Sequence, residues 1–301
     1  MGESMRIGIV GLGSMGMGMA KCLVKAGFAV AGADIRGAAV AELVAAGGFA
    51  AANPAEAARD AAAVIVMVVN AAQVEAVLFG KDGVASTLPR GAIVMQSATV
   101  PASIAIAIAA RLAQTGHQML DAPVSGGAAG AASGTLTVMG SGPAAAFDTL
   151  EGALKAVAKK VYRLGERAGI GSTVKTVNQL LAGVHIAAAA EAMALGTRAG
   201  ADPRALFEVI SNSAGASWMF QNRVPHMLEG DYAPKSAVEI FVKDLGVVLD
   251  SGRELRFPLP LAAAAHQLFL AAAGAGHGSE DDAAVVKVYE ALTGIKVGGG
   301  P

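Results

Sequence analysis

Short apolar runs alternate with longer stretches of helical spacing over the first half of the chain. Arg6–Val10, Phe28–Ala33, Val64–Val69, Ala92–Gln96, Gln118–Leu120 and Leu136–Met139 read as strands. Val64–Val69 is rich in β-branched residues and has no polar position, the composition of a strand covered on both faces. A helix runs from the glycine turn after Val10 to Ala26, and Pro101–Thr115 and Pro143–Ala158 read as further helices. Strand and helix alternating at this interval predict βαβ units and a mainly parallel sheet.

The pattern changes after Leu164. Gly165-Glu166-Arg167-Ala168-Gly169 is turn-rich. Ser172–Ala199 then forms one long alanine-rich run without proline. A helix apolar nearly all round belongs in a core or between subunits, and Lys175, Asn178, His185 and Glu191 argue against a membrane span. Asp202-Pro203 is a helix start, with Asp as N-cap and Pro at the first helical position. Ser236–Gly252, Pro260–Ala273 and Asp281–Leu292 continue as helices, and Gly298-Gly299-Gly300-Pro301 reads as a frayed end.

Charge and composition narrow the function. Lys and Arg number 23 against 24 Asp and Glu, with no basic stripe, which sets nucleic-acid binding aside. Cys22 is the single cysteine, so no intrachain disulfide forms and a reducing cytoplasm is expected. His117, His185, His226, His266 and His277 are scattered without metal-ligand spacing, so no metal is expected. No membrane partner is expected either.

Gly11-Leu12-Gly13-Ser14-Met15-Gly16 matches G-x-G-x-x-G. In a chain with 39 glycines the motif alone is weak. Its context makes it strong: it follows the first strand, opens a helix, and precedes an acidic residue, Asp34, at the end of the second strand. The first glycine permits the tight turn, the second lets the backbone approach a pyrophosphate, and the third lets helix and strand pack closely. The helix N-terminus offers free N–H groups to phosphate. Asp34 suits the ribose hydroxyls of NAD and repels the extra phosphate of NADP, although Arg36 stands close enough to neutralise one. The blander alternative makes the glycines a plain turn and Asp34 a helix cap. The expected architecture is therefore an α/β Rossmann domain over residues 1–164, then an all-α domain over residues 165–301 entered through a long connecting helix.

Four blocks in order resemble the 3-hydroxyisobutyrate or β-hydroxyacid dehydrogenase family. They are the glycine loop with Met19-Ala20; Asp121-Ala122-Pro123-Val124-Ser125-Gly126-Gly127; Gly171 through Lys175, with Asn178 and Gln179; and Lys243-Asp244. Lys21-Cys22 departs from the family, many members of which carry Asn there. The resemblance implies a cofactor domain, a helical substrate and dimerisation domain, an active site in the cleft between them, and a homodimer or homotetramer. It implies Lys175 as catalytic acid/base, with Ser125, Gly126, Gly127, Asn178 and Asp244 binding substrate. It assigns Gly11, Gly13, Ser14, Met15, Gly16, Asp34, Asn70, Thr99 and Lys243 to the cofactor. The wording of Lys175–Glu191 and Ser211–Asn222 resembles the family's sugar-acid branch, which implies oxidation of L-threonate to 2-oxo-tetronate. 3-Hydroxyisobutyrate and tartronate semialdehyde are the competing substrates. A non-catalytic NAD(P)-binding module or an imine reductase would be expected to lack Lys175.

The residue types fit that chemistry. Lys175 and Asn178 stand three apart on a helix and share a face, so one can handle a hydroxyl proton while the other holds the oxygen. Lysine, with an ordinary pKa of about 10.4, needs a lowered value to act as a base near neutrality; a low-polarity cleft and a second cation, Lys243 or the oxidised nicotinamide, would lower it. Ser125-Gly126-Gly127 lets backbone N–H groups approach a carboxylate, or it is a plain turn. Asp244 either orients Lys243 or caps its helix, and the two could also be an ordinary surface pair. Met15, Met17 and Met19 read as packing; Trp218-Met219-Phe220 lines a substrate cleft or a subunit interface or, the default reading, belongs to a helical core.

Overall fold

The computed structural model describes residues 4–298, and the chain divides into two units, Met1–Lys175 and Thr176–Pro301. The first unit runs β1 (Arg6–Val10), α1 (Ser14–Lys25), β2 (Ala29–Ala33), α2 (Gly37–Ala45), β3 (Phe49–Ala50), α3 (Pro54–Ala58), β4 (Ala63–Val66), α4 (Ala71–Phe79), β5 (Ile93–Gln96), α5 (Ala102–Gln114), β6 (Gln118–Asp121), β7 (Val124–Ser125), α6 (Gly127–Ser133), β8 (Leu136–Gly140), α7 (Ala144–Thr149), α8 (Glu151–Val157) and β9 (Ala158–Arg163). Six strands form one parallel sheet in the order β3-β2-β1-β4-β5-β6. The order reverses between β1 and β4, and ligands of open α/β sheets sit at the carboxyl edge of such a switch.

Alternation along the strands explains why both faces are covered. Ile7, Ile9, Val30, Ile65, Met95 and Leu120 point into one core. Val10, Ala33, Val64, Val66, Val94 and Met119 point into the other. Gly8 lacks a side chain because a Cβ there would lie 2.5 Å from the Ala57 carbonyl oxygen of α3.

The remaining strands form a separate sheet, ordered β7-β8-β9, with β7–β8 antiparallel and β8–β9 parallel. Leu136–Met139, expected as a strand, lies in this sheet. The helix expected over Pro143–Ala158 breaks at Leu150 (φ −89°, ψ 4°), and Ala158 begins a strand. The run expected as a strand to Val69 leaves the sheet after Val66, because the chain turns into a cap at Asn70.

The long helix α9 (Ile170–Arg198) starts within the first unit and is followed by α10 (Pro203–Ser211), α11 (Trp218–Glu229), α12 (Val238–Leu255), α13 (Pro260–Ala272) and α14 (Val286–Thr293). Asp202 caps α10 through the Arg204 and Ala205 N–H groups, as its sequence position predicts. Ile186, Ala190 and Met193 of α9 pack with Phe241, Leu245, Phe269 and Val286 in a core to which no strand contributes, where Phe241 and Phe269 stack at 5.2 Å. The last helix begins as a 3-10 turn, Asp282–Val285, before α14. Gly298, expected to fray, lies so close to the Met227 carbonyl that a Cβ would come within 1.8 Å. Gly299-Gly300-Pro301 lies outside the described residues.

Candidate active site

The glycine loop joins β1 to α1. Gly11 sits at φ +94° and Gly16 packs so closely that its Cβ would meet the Gly11 carbonyl at 1.9 Å. Gly13 is different: it is the N-cap of α1, its φ is −66°, and an added Cβ would meet nothing within 4 Å. Two glycines are thus fixed by the chain itself, while the third borders open space. Ser14 and Met15 open α1, with their N–H groups at its positive end.

Asp34 follows β2. Its carboxylate accepts hydrogen bonds from the Leu12 N–H at 2.6 Å and the Arg36 N–H at 2.8 Å. Arg36 Nε also reaches it at 3.2 Å, and the Arg36 guanidinium donates to the Leu12 carbonyl. Burial alone would raise the Asp34 carboxyl, but the N–H groups of Arg36 and Leu12 and the guanidinium outweigh it and hold the group below its ordinary value. Asp34 is therefore a fixed anion tied to the glycine loop. It is not a cap of α2, whose N-cap is Arg36 without a side-chain hydrogen bond.

At the carboxyl end of β5, the buried Gln96 side chain accepts the Ala98 N–H at 2.5 Å and donates to the Ala98 carbonyl at 3.1 Å, which shapes the turn leading to the half-buried Thr99. Ser97 Oγ in that turn is buried and finds no hydrogen-bond partner. An open Gly13, a helix N-terminus, a fixed carboxylate at the end of β2 and an orphaned hydroxyl at the end of β5 together fit a dinucleotide. Asn70 has a local duty: its side chain caps α4 by accepting the Gln73 N–H at 2.9 Å.

Ser125 ends β7, and Gly126 (φ +132°) and Gly127 (φ +63°) turn the chain into α6 with their backbone exposed. A Cβ on Gly127 would meet nothing within 4 Å. Lys175, six residues into α9, is buried at 7% exposure.

The second unit joins three expected residues through one the sequence reading left without a role. Asn178 Nδ2 donates to Gln179 Oε1 at 3.0 Å, and Gln179 Nε2 donates to Asp244 Oδ2 at 2.5 Å. Asp244 Oδ1 lies 2.7 Å from Lys243 Nζ. Asp244 sits inside α12 and is nearly fully buried, so it pairs with Lys243 and does not cap the helix. Gln179 is four residues after Lys175, and that helical spacing was the signal available for it.

Asp121, also without an assigned role, is fully buried. Ser172 Oγ and N–H donate to it at 2.7 and 2.9 Å, and the Gly169 N–H at 2.9 Å. Burial pushes its carboxyl up against those hydrogen bonds. Phe220 is buried against Phe207, whereas Trp218 is 63% exposed and is not core. Met17 and Met19 are buried in the sheet-facing core, as expected of packing residues. Among the described residues, no cluster of three or more His, Cys, Asp or Glu could hold a metal ion.

A doubly wound sheet with a glycine loop at its switch and a carboxylate at the end of β2 defines a dinucleotide-binding protein. Residues 6–165 match the NAD binding domain of 6-phosphogluconate dehydrogenase, and residues 169–289 match the NAD-binding domain of NADP-dependent 3-hydroxyisobutyrate dehydrogenase. The chain is 58% identical over 289 residues to the L-threonate dehydrogenase of Cupriavidus necator, covering 96% of this chain and 97% of that one. It is 53% identical over 293 residues to the L-threonate dehydrogenase of Escherichia coli K12, with 97% of each chain covered. A crystal structure described as 3-hydroxyisobutyrate dehydrogenase from Salmonella typhimurium superposes with a TM-score of 0.89 at 53% identity, covering 95% of this chain and all of that one. The chain belongs to the 3-hydroxyisobutyrate (β-hydroxyacid) dehydrogenase family and is an NAD(P)-dependent hydroxyacid dehydrogenase.

Proposed function

We propose that this chain oxidises L-threonate to 2-oxo-tetronate with NAD, and that Lys175 is its general base. The observation that carries the chemistry is a buried lysine near the start of an apolar helix, in a chain that also bears a complete dinucleotide loop. The substrate rests on full-length similarity to L-threonate dehydrogenases, against one structure of comparable identity described as a 3-hydroxyisobutyrate dehydrogenase. NAD is favoured over NADP because Asp34 is a fixed anion at the end of β2.

In this reading, Gly11, Gly13, Ser14, Met15 and Gly16 hold the pyrophosphate, Asp34 the adenosine ribose, and Asn70, Thr99 and Lys243 the nicotinamide half. When bound, NAD supplies a nicotinamide carbon that accepts the hydride leaving the hydroxyl-bearing carbon. Ser125 and the backbone of Gly126 and Gly127 grip the substrate carboxylate. Lys175 Nζ receives the hydroxyl proton as the carbonyl forms. Asn178 holds the hydroxyl oxygen, and Asp244 fixes the position of Lys243 and the Gln179 amide. The same reading makes the protein a cytoplasmic homodimer or homotetramer. The apolar surface left on the helices supports the association of copies: Leu195 of α9 is 70% exposed, and α10 buries none of its residues.

Reduction of NAD and of NADP, followed by absorbance over L-threonate, D-threonate, 3-hydroxyisobutyrate and D-glycerate, tests the assignment. Turnover of L-threonate with NAD is expected, and Lys175→Ala should lower it by roughly 10²–10⁴-fold. Lys175→Arg keeps the charge but cannot give up its proton, so the acid limb of the pH–rate profile should disappear with it. An unchanged profile in Lys175→Arg removes Lys175 as the base. Faster turnover of 3-hydroxyisobutyrate than of L-threonate moves the chain to the other branch.

A further inference from the structure

We infer that Asp121 is a positioning residue for the dehydrogenase reaction: its buried carboxylate locks the first turn of α9 to the end of β6, and so sets where Lys175 stands. The inference rests on the reading of Lys175 as the general base.

The first N–H groups of an α-helix have no partner within the helix and must find one elsewhere. For α9 that partner is supplied by a residue far away in sequence. Asp121 Oδ2 accepts the N–H groups of Gly169 and Ser172, each at 2.9 Å, and Oδ1 accepts the Ser172 hydroxyl at 2.7 Å. The Gly171 N–H donates to Ser141 Oγ at 2.9 Å, and Ser141 Oγ itself lies 3.4 Å from Asp121 Oδ2. Backbone hydrogen bonds in both directions, at 2.9 and 2.8 Å, tie Asp121 to Ser141 at the end of β8. The Gly169 N–H, the Ser172 N–H and the Ser172 hydroxyl all donate to the carboxylate, which accepts in each of these contacts. An anion at the positive end of a helix also gains from the helix dipole.

The fit leaves no room for drift. A Cβ on Gly171 would lie 2.4 Å from the Met139 carbonyl and 2.6 Å from the Asp121 carbonyl, so the first turn of α9 rests directly on the ends of two strands. Ser172 and Lys175 are three apart and lie on one face of the helix. The side chain that grips Asp121 is therefore one turn before the proposed base on the same face. Asp121 also begins the segment that reaches Ser125, Gly126 and Gly127, whose register is fixed by Val124 against Val138 and Ser125 against Thr137. One carboxylate thus fixes the distance between the proposed carboxylate grip and the proposed base. Misplacing a reacting group by about 1 Å can cost on the order of 10²-fold in rate.

The test compares Asp121→Ala, Asp121→Asn and Ser172→Ala with the wild type, measuring kcat and KM for L-threonate, NADH affinity by fluorescence, and melting temperature. Asparagine keeps one acceptor toward the two N–H groups, and its amide can donate to Ser172 Oγ, so it preserves most of the clamp. Expected is a loss in kcat of about 10²-fold for Asp121→Ala and about tenfold for Ser172→Ala, with Asp121→Asn recovering most of the loss and NADH affinity held throughout. A general loss of folding would lower NADH affinity together with kcat, and that pattern in the soluble Asn and Ser172→Ala variants overturns the inference. So does wild-type kcat in both of them. If Asp121→Ala does not fold, those two variants decide alone. Lys175→Ala, measured alongside, separates the two readings. An inactive Lys175→Ala beside fully active Asp121→Asn and Ser172→Ala defeats only the clamp. An active Lys175→Ala defeats the reading on which it rests.

Discussion

The three loop glycines make different demands, and each demand predicts a different failure. A methyl group on Gly16 would sit 1.9 Å from the Gly11 carbonyl oxygen, and backbone cannot move aside cheaply. Gly16→Ala should therefore destabilise the fold by about 1–3 kcal/mol and lower NADH affinity as a consequence. Gly13 has an ordinary φ and open space in front of it, so Gly13→Ala should melt like the wild type and yet bind NADH at least roughly tenfold more weakly, since the methyl would lie where the proposed reading puts the pyrophosphate. A thermal melt paired with an NADH titration separates them; a Gly13→Ala variant with wild-type affinity would show that the pyrophosphate does not pass there. The loop and Asp34 were legible in the sequence because strand, turn and helix signal themselves locally. Asp121 and Gln179 were not: both stand inside the family-like blocks, but their partners lie 51 and 65 residues away along the chain. Trp218, 63% exposed, departs from the default of helical core for a related reason, since apolar character says nothing about which turn of a helix is covered.

At the level of elements, α11 leads into α12 through a buried charged cluster. Asp281 is fully buried and accepts from His226 Nδ1 at 2.9 Å, the Lys235 N–H at 3.0 Å and the Ala283 N–H at 3.2 Å. Lys235 Nζ lies 2.8 Å from the other ring nitrogen of His226, Nε2. Burial would raise the Asp281 carboxyl, but these hydrogen bonds and the nearby Arg223 charge outweigh it and hold the group below its ordinary value of 3.8. A depressed carboxyl stabilises the fold above its unfolded pKa, and that contribution is lost as pH falls through the lower folded value. Asp281→Asn should lower the melting temperature by about 5 °C near neutrality. The gap between variant and wild type should then shrink as the pH is taken below about 4. A gap that stays constant through that acid range would mean that Asp281 does not titrate with folding. The elements themselves were legible where periodicity was long, as in the core strands and α9. They were hidden where other rules intervened. Pro225 inside α11 suppresses the helix signal, although Ser217 caps that helix and Gly230 ends it in the left-handed region. In β9, Ala-Lys-Lys-Val-Tyr-Arg is largely exposed and shows no clean alternation to separate it from the helix before it.

At the scale of the whole molecule, α9 carries apolar surface that calls for a cover. Among the described residues it is the one helix long and apolar enough to cross a membrane by length and composition, and only 39% of its most apolar window is buried. Val177, Leu181 and Leu195 on it are 56, 49 and 70% exposed, and Val209 of α10 is 63% exposed. Burying a leucine or valine side chain is worth about 1.5–3 kcal/mol, so a second copy that covered these positions would gain substantially. A membrane span would instead have to accommodate Asn178, His185 and Glu191 on the same helix. The expected outcome is therefore a species of two or four copies of the 29.8 kDa chain in sedimentation without detergent. A Leu195→Glu, Val209→Asp double variant should move that species toward the single chain, since a buried unpaired carboxylate is strongly disfavoured. Neither residue belongs to the proposed site, so NADH affinity measured on the same sample reports whether the cofactor unit survives the change. A wild type that sediments as a single chain, or that stays in solution only with detergent, would exclude pairing through these helices and return the apolar surface of α9 to another partner.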